Sequence, residues 1–187
     1  MSLNRLPAIF LLLFSSAAFA GSVSVNMGNN AAQFEAGFGS DANAEFQTGF
    51  MYNDQGSNLI DAGLMMKGGA SQDGGSGLAI GGGVKGLAGN VQQAGTSNVV
   101  SAIALGGRVS FTPAAFSSVD FVGEFLSSLK ITTFGDADRF GQFSFRLELG
   151  PPQAKIFIGY REVSFVLKGV GNVLFDHGGY TGVMFSF

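Results

Sequence analysis

The sequence predicts an all-β fold: a single antiparallel transmembrane β-barrel of eight to ten strands, ten favoured, with short turns at one end and longer loops at the other. Three observations predict it. From residue 21 the chain reads as segments of period two separated by turn-like clusters, the signature of half-buried strands. Charged residues make up 12% of the chain, against about 25% in an ordinary soluble domain, and 30 of the 187 residues are glycine. After residue 20 no apolar run approaches the roughly 20 residues a spanning helix needs, so passage through a membrane would have to use strands.

The first twenty residues form a separate unit. Arg5 supplies a short cationic start, Leu6 to Phe14 is apolar apart from Pro7, and Ala18-Phe19-Ala20 offers the small residues of a cleavage site. This predicts a secretory signal peptide over residues 1–20, leaving 21–187 as one barrel domain. Cleavage removes Arg5 and takes the formal charge from -3 to -4. No basic tract remains to neutralise phosphates, which excludes a nucleic-acid partner. The chain has no cysteine, so disulfides and a lipoprotein anchor are excluded too.

The predicted strands are Ser22 to Met27, Gln33 to Phe38, Ala44 to Tyr52, Asn58 to Lys67, Gly77 to Leu87, Val99 to Phe111, Ser117 to Leu126, Gly141 to Leu149, Lys155 to Phe165 and Gly179 to Phe187. Gly28-Asn29-Asn30 makes a tight loop, but Ser22 to Met27 is short; without that pair the count is eight, since bacterial barrels have even strand numbers. With both chain termini periplasmic, Gly39 to Asn43, Gly68 to Ser76, Thr112 to Phe116 and Gly150 to Gln153 become inner turns, where Pro113, Pro151 and Pro152 block strand continuation. Asn53 to Ser57, Ala88 to Asn98, Ser127 to Arg139 and Lys168 to His177 become the outer loops.

Successive side chains of a strand point to opposite faces. When the large apolar residues are set on one face, the other receives Glu35, Glu45, Asp61, Asp120, Glu124 and Glu148 together with Lys67, Lys85, Arg108, Arg146, Lys155 and Arg161. Acids and bases balance, and only Glu162 falls on the apolar side. A soluble barrel would show water a far more charged surface. Here the polar face is thick with glycine and alanine, which suits a narrow lumen where long side chains from opposite walls interleave. The twelve ionisable groups are therefore expected to form an ion-pair network that fills the lumen.

The last segment, Tyr180 to Phe187, alternates to its final residue and needs an existing strand to cover its edge, which closure onto the first strand supplies. Val183, Phe185 and the terminal Phe187 look like the carboxy-terminal signal read by the barrel assembly machinery. The whole mature chain resembles the YfaZ family of small bacterial outer-membrane proteins: the likeness lies in the leader, Ser22-Val23-Ser24-Val25, Ala36-Gly37-Phe38-Gly39, Gly81-Gly82-Gly83, Gly159-Tyr160-Arg161, Gly182-Val183 and the final Ser186-Phe187. The resemblance implies outer-membrane placement and a small barrel, and it brings no catalytic residues.

Chemistry beyond this is sparse. The one histidine, His177, follows Asp176 in a predicted outer loop, with Ser127, Ser128, Asp136 and Asp138 in another; a histidine base would need one of these within hydrogen-bond reach. Asp136 and Asp138 lack a third carboxylate for a metal site. Gly81-x-Gly83-x-x-Gly86 has dinucleotide-motif spacing but lies inside a strand with no helix after it. The expectations are thus no enzyme activity, no cofactor and no metal. The expected role is a structural or envelope one for a monomeric barrel with a charge-paired, largely closed lumen, surrounded by outer-membrane lipid and lipopolysaccharide. A narrow ion or solute channel is the alternative, and a rim enzyme acting on lipid or peptide the second.

Overall fold

The computed structural model describes residues 21–39, 44–68 and 77–187, apart from the side chain of Lys67. The predicted leader and most of two predicted inner turns lie outside the described residues. Ten antiparallel strands form a closed barrel in simple up-and-down order: β1 (Gly21–Gly28), β2 (Ala31–Phe38), β3 (Ala44–Asn53), β4 (Asn58–Gly68), β5 (Gly77–Gln93), β6 (Thr96–Thr112), β7 (Val119–Gly135), β8 (Ala137–Leu149), β9 (Ala154–Leu167) and β10 (Gly171–Ser186). The short opening pair is real, so the count is ten. Closure joins β1 to β10 from Ser22↔Ser186 to Gly28↔Tyr180, and Gly21 and Phe187 exchange backbone hydrogen bonds of 2.8 and 3.0 Å beyond it. The end carrying Gly21 and Phe187 is called the terminal end below, and the opposite one the distal end.

At the terminal end, the prolines stop the strands as their missing N–H groups require: Phe116 N–H donates to Pro113 O at 3.1 Å and Ala154 N–H to Pro151 O at 3.1 Å. The distal end differs from the sequence expectation. Most of Ala88 to Asn98, Ser127 to Arg139 and Lys168 to His177 continues as paired strand, with only short turns at the tips. The β5–β6 hairpin shows why. Gln93 pairs with Thr96 across a turn of Ala94 and Gly95, whose φ values are 50° and 80°. This is the left-handed pair that suits a two-residue hairpin, and glycine accepts it without strain. Gly95 therefore marks the turn, whereas Gly89, Asn90 and Asn98 lie within the paired ladder and say little about where pairing stops.

The large apolar side chains face outward and stay uncovered, among them Phe46, Phe50, Ile60, Leu105, Phe125, Phe143, Ile158 and Phe185. Aromatic rows run around the wall, Phe111 against Phe121 at 6.5 Å and Phe121 against Phe145 at 6.4 Å. A soluble monomer rarely exposes a continuous apolar surface of this kind.

Candidate functional site

The lumen has two storeys. Its terminal half holds the charged network. Lys85 lies 3.4 Å from Asp61 and 4.0 Å from Glu124, and Arg108 is 4.0 Å from the other oxygen of Glu124. Gln142 adds a hydrogen bond to Glu124 at 3.4 Å. A second cluster links Arg146 to Glu148 at 2.7 Å, Glu148 to Lys155 at 3.1 Å, Lys155 to Asp120, and Asp120 to the Thr112 hydroxyl. Glu35 accepts from Gln33 at 3.1 Å and from Ser24 at 3.4 Å, and Glu45 lines the same space. Of the twelve ionisable residues predicted for the lumen, Lys67 lies outside the described side chains.

The small residues opposite make room for these side chains. The Glu45 carboxylate occupies the volume a Cβ on Gly37 would need, and a Cβ on Gly49 would come within 2.6 Å of Asp61. Such a lumen tolerates long charged side chains because its other positions are nearly bare.

Arg161 forms the ceiling of this storey. It is 2% exposed. Its Nε donates to Asp176 at 2.7 Å, and its Nη1 donates to Asn26 at 2.9 Å and to Gln33. The guanidinium lies 4.9 Å from the centre of the Tyr180 ring. Asp176 was expected in a loop. A bulge between Leu174 and Asp176 instead turns Phe175 and Asp176 both inward, and it leaves His177 on the outer wall opposite Glu162.

Above Arg161 the lumen is apolar, where the sequence predicts an ion-pair network throughout. Phe140, Phe165, Phe175, Leu126, Leu167, Val91, Val100, Val163 and Val173 pack into one buried cluster drawn from β5 to β10, joined by Met51 from β3 and Leu59 from β4. Phe165 and Leu126 are 0% exposed, and the Phe140 and Phe165 rings lie 5.2 Å apart. Asn53 closes one side, its amide donating to Phe175 O at 2.9 Å. The signal was present in the odd-numbered run Val163, Phe165, Leu167. It shares the face of Arg161, so these residues point inward by parity.

Open space follows the same division. A cavity of about 570 Å³ opens at the terminal end and is lined by Glu45, Arg108, Asp120, Arg146, Glu148 and Lys155 among others. Farther in, a pocket of about 60 Å³ reaches Arg161 and Tyr180. Asp176 and His177 face opposite sides of the wall, so they form no dyad. Ser128 accepts a hydrogen bond from Phe140 N–H at 2.7 Å inside the barrel, and Asp136 accepts one from Val99 N–H at 2.9 Å. No group of three potential metal ligands occurs among the described residues. Val183, Phe185 and Phe187 all face outward at the terminal end.

No curated protein matches the sequence. Among solved structures, a NanC porin aligns with 91% of this chain and 100% of its own at 13% identity, with a TM-score of 0.42. A chain from a study of in-meso crystallization of membrane proteins aligns over 90% and 83% at 15% identity, TM-score 0.39, and OccAB2 of Acinetobacter baumannii over 89% and 59% at 8% identity, TM-score 0.33. The YfaZ precursor family matches residues 2–187, nearly the whole chain, and with this closed ten-stranded barrel it gives the assignment: the chain belongs to the YfaZ precursor family.

Proposed function

We propose that the protein is a non-enzymatic outer-membrane barrel that is shut to flow along its axis and serves a structural or envelope-maintenance role. In this reading the terminal end faces the periplasm, lipid and lipopolysaccharide surround the apolar wall, and the barrel assembly machinery inserts a monomer. The observation that carries the closed state is the apolar plug above Arg161. A hydrated ion entering it would lose its water and find few polar groups to replace it, since Asn53 and Ser128 are already engaged with the backbone of Phe175 and Phe140, a cost of several kcal/mol. The apolar outer wall supports the membrane placement, because an Arg or Lys at mid-depth there would cost about 2 to 4 kcal/mol and the described cations of the central belt point inward.

The competing reading, a narrow channel, draws on the 570 Å³ cavity and on Arg108, whose ion pair with Glu124 is 4.0 Å long. Planar-bilayer recording separates the two. Purified barrel is expected to give no stable single-channel current in molar salt. Regular current steps that shrink when Arg108 or Arg146 is replaced by glutamine would establish the channel instead.

A further inference from the structure

Across β3 to β7 the outer wall is hollowed by a groove of about 690 Å³ in its distal half. Its floor is Ala62, Gly86 and Ala88, and its walls are Phe50, Ile103 and Phe134. Strand register explains the shape. Phe50, Ile60, Ala88, Ser101 and Phe134 are consecutive cross-strand neighbours, so one row passes from large to small and back to large. The next row toward the terminal end, Thr48, Ala62, Gly86 and Ile103, repeats the dip. Thr48, a polar lining residue, already donates its hydroxyl to Asp61 O at 2.9 Å. The groove therefore offers hydrocarbon contact with almost no polar demand.

Its mouth is different. Lys168 reaches back over the β7–β8 turn, and its ammonium lies 2.6 Å from the carbonyl of Gly135, the residue after Phe134. Arg139 is an exposed cation on β8, opposite Val166, two residues from Lys168. Neither makes an ion pair among the described residues. Asn58 and Asn90 pair across β4 and β5 in the row just beyond Ile60 and Ala88, adding amide groups on the other side of the mouth. An apolar trough whose neighbouring strand ends carry two cations without ion pairs and two amides, with the Asp136 carboxylate taken up by Val99 N–H, complements an amphiphile with a saturated chain, a phosphate and hydroxyl groups.

We propose that this groove and its rim bind lipid A, one acyl chain lying along Ala62, Gly86 and Ala88 and one phosphate held by Lys168 and Arg139. This rests on the reading above, in which the distal end meets the outer leaflet, and it names a site and a ligand that the reading does not. The cations decide for a phosphorylated lipid over a neutral one, since two unpaired positive groups at the head level would otherwise stay unmatched.

The test is native mass spectrometry of refolded barrel in dodecyl maltoside with added bis-phosphorylated lipid A, dephosphorylated lipid A or phosphatidylglycerol. Wild type is expected to retain one bis-phosphorylated lipid A. Gly86→Leu with Ala88→Leu fills the floor, and a Cβ at Gly86 meets nothing nearer than 3.8 Å, so the new side chain starts without a backbone clash. That variant should cut retention about tenfold, the loss of a well-buried chain segment. Lys168→Gln with Arg139→Gln should weaken the bis-phosphorylated form about tenfold and leave the dephosphorylated form unchanged. Gly123→Leu, outside the groove where an added Cβ has nothing within 4 Å, should retain lipid as wild type does. Heat-modifiable mobility confirms folding of each variant, and Ser101→Leu replaces the double change if that one fails to refold. Equal retention by the filled barrel overturns the groove, and phosphatidylglycerol retained as well as lipid A overturns the ligand. Because binding is read in detergent, its failure stands apart from the membrane placement, which fractionation of cells decides.

Discussion

Arg161 is held from several directions: by Asp176, by the amide oxygens of Asn26 and Gln33, and by the face of Tyr180. A buried charge is tolerable only when its partners are in place, and removing one partner strands the other. Arg161→Met should therefore destabilise the barrel by about 3 to 5 kcal/mol, read as a fall in the urea midpoint of the detergent-refolded protein. Adding Asp176→Leu should restore most of the loss, because the stranded carboxylate is gone. If the double variant is no more stable than the single one, the pair is not what holds this level of the lumen. Parity along a strand made the inward position of Arg161 legible in the sequence. Its partner was not legible, since the bulge at Leu174 and Asp176 resets parity on β10 and nothing in Gly171 to Gly179 announces it.

Among the elements, β10 has the most demanding position, bonded to β9 along nearly its whole length and to β1 along its terminal half. Phe187 closes the seam through two backbone hydrogen bonds to Gly21 and carries its ring outward. Deleting Phe187 should lower the yield of membrane-inserted, heat-modifiable protein while leaving export to the periplasm intact; unchanged insertion would show that the residue is dispensable for assembly. The strands were legible wherever alternation was backed by a large apolar residue at every second position, as in Phe46 to Tyr52 or Phe143 to Leu149. The hairpin tips were not. Val91, Gln92, Thr96 and Asn98 are polar or isolated enough to resemble loop, yet each lies in the β5–β6 ladder, and backbone pairing does not need an apolar face.

At the scale of the molecule, the two-storey lumen combines two ways of filling a barrel. Charges pair where the space is narrow and wet, and aromatic and aliphatic groups pack where it is dry. In sequence, setting the large apolar residues on the outer face assigns the charged residues to the inner one. The dry storey was missed because its members larger than alanine are scattered over eight strands, most contributing one or two inward apolar residues that look incidental in sequence and only β9 a run of three. The plug makes a definite prediction. Replacing Phe140, Phe165 and Phe175 together by alanine removes three rings from one cluster and should open a path detectable as small ionic currents. Phe165→Ala alone should cost about 3 to 5 kcal/mol of stability without conducting, and Phe143→Ala on the outer wall should do neither. A silent triple variant that still folds would mean that another layer blocks the axis.

The seam between β1 and β10 also sets the order of events during biogenesis. The residues that meet there, from Ser22↔Ser186 to Gly28↔Tyr180, are nearly the full chain apart, so the ring stays unzipped until synthesis has delivered its final residues. Until that seam forms, β1 and β10 each present an unpaired edge open to pairing with another chain. In the proposed outer-membrane reading, those edges would have to be kept from other chains until insertion closes the seam.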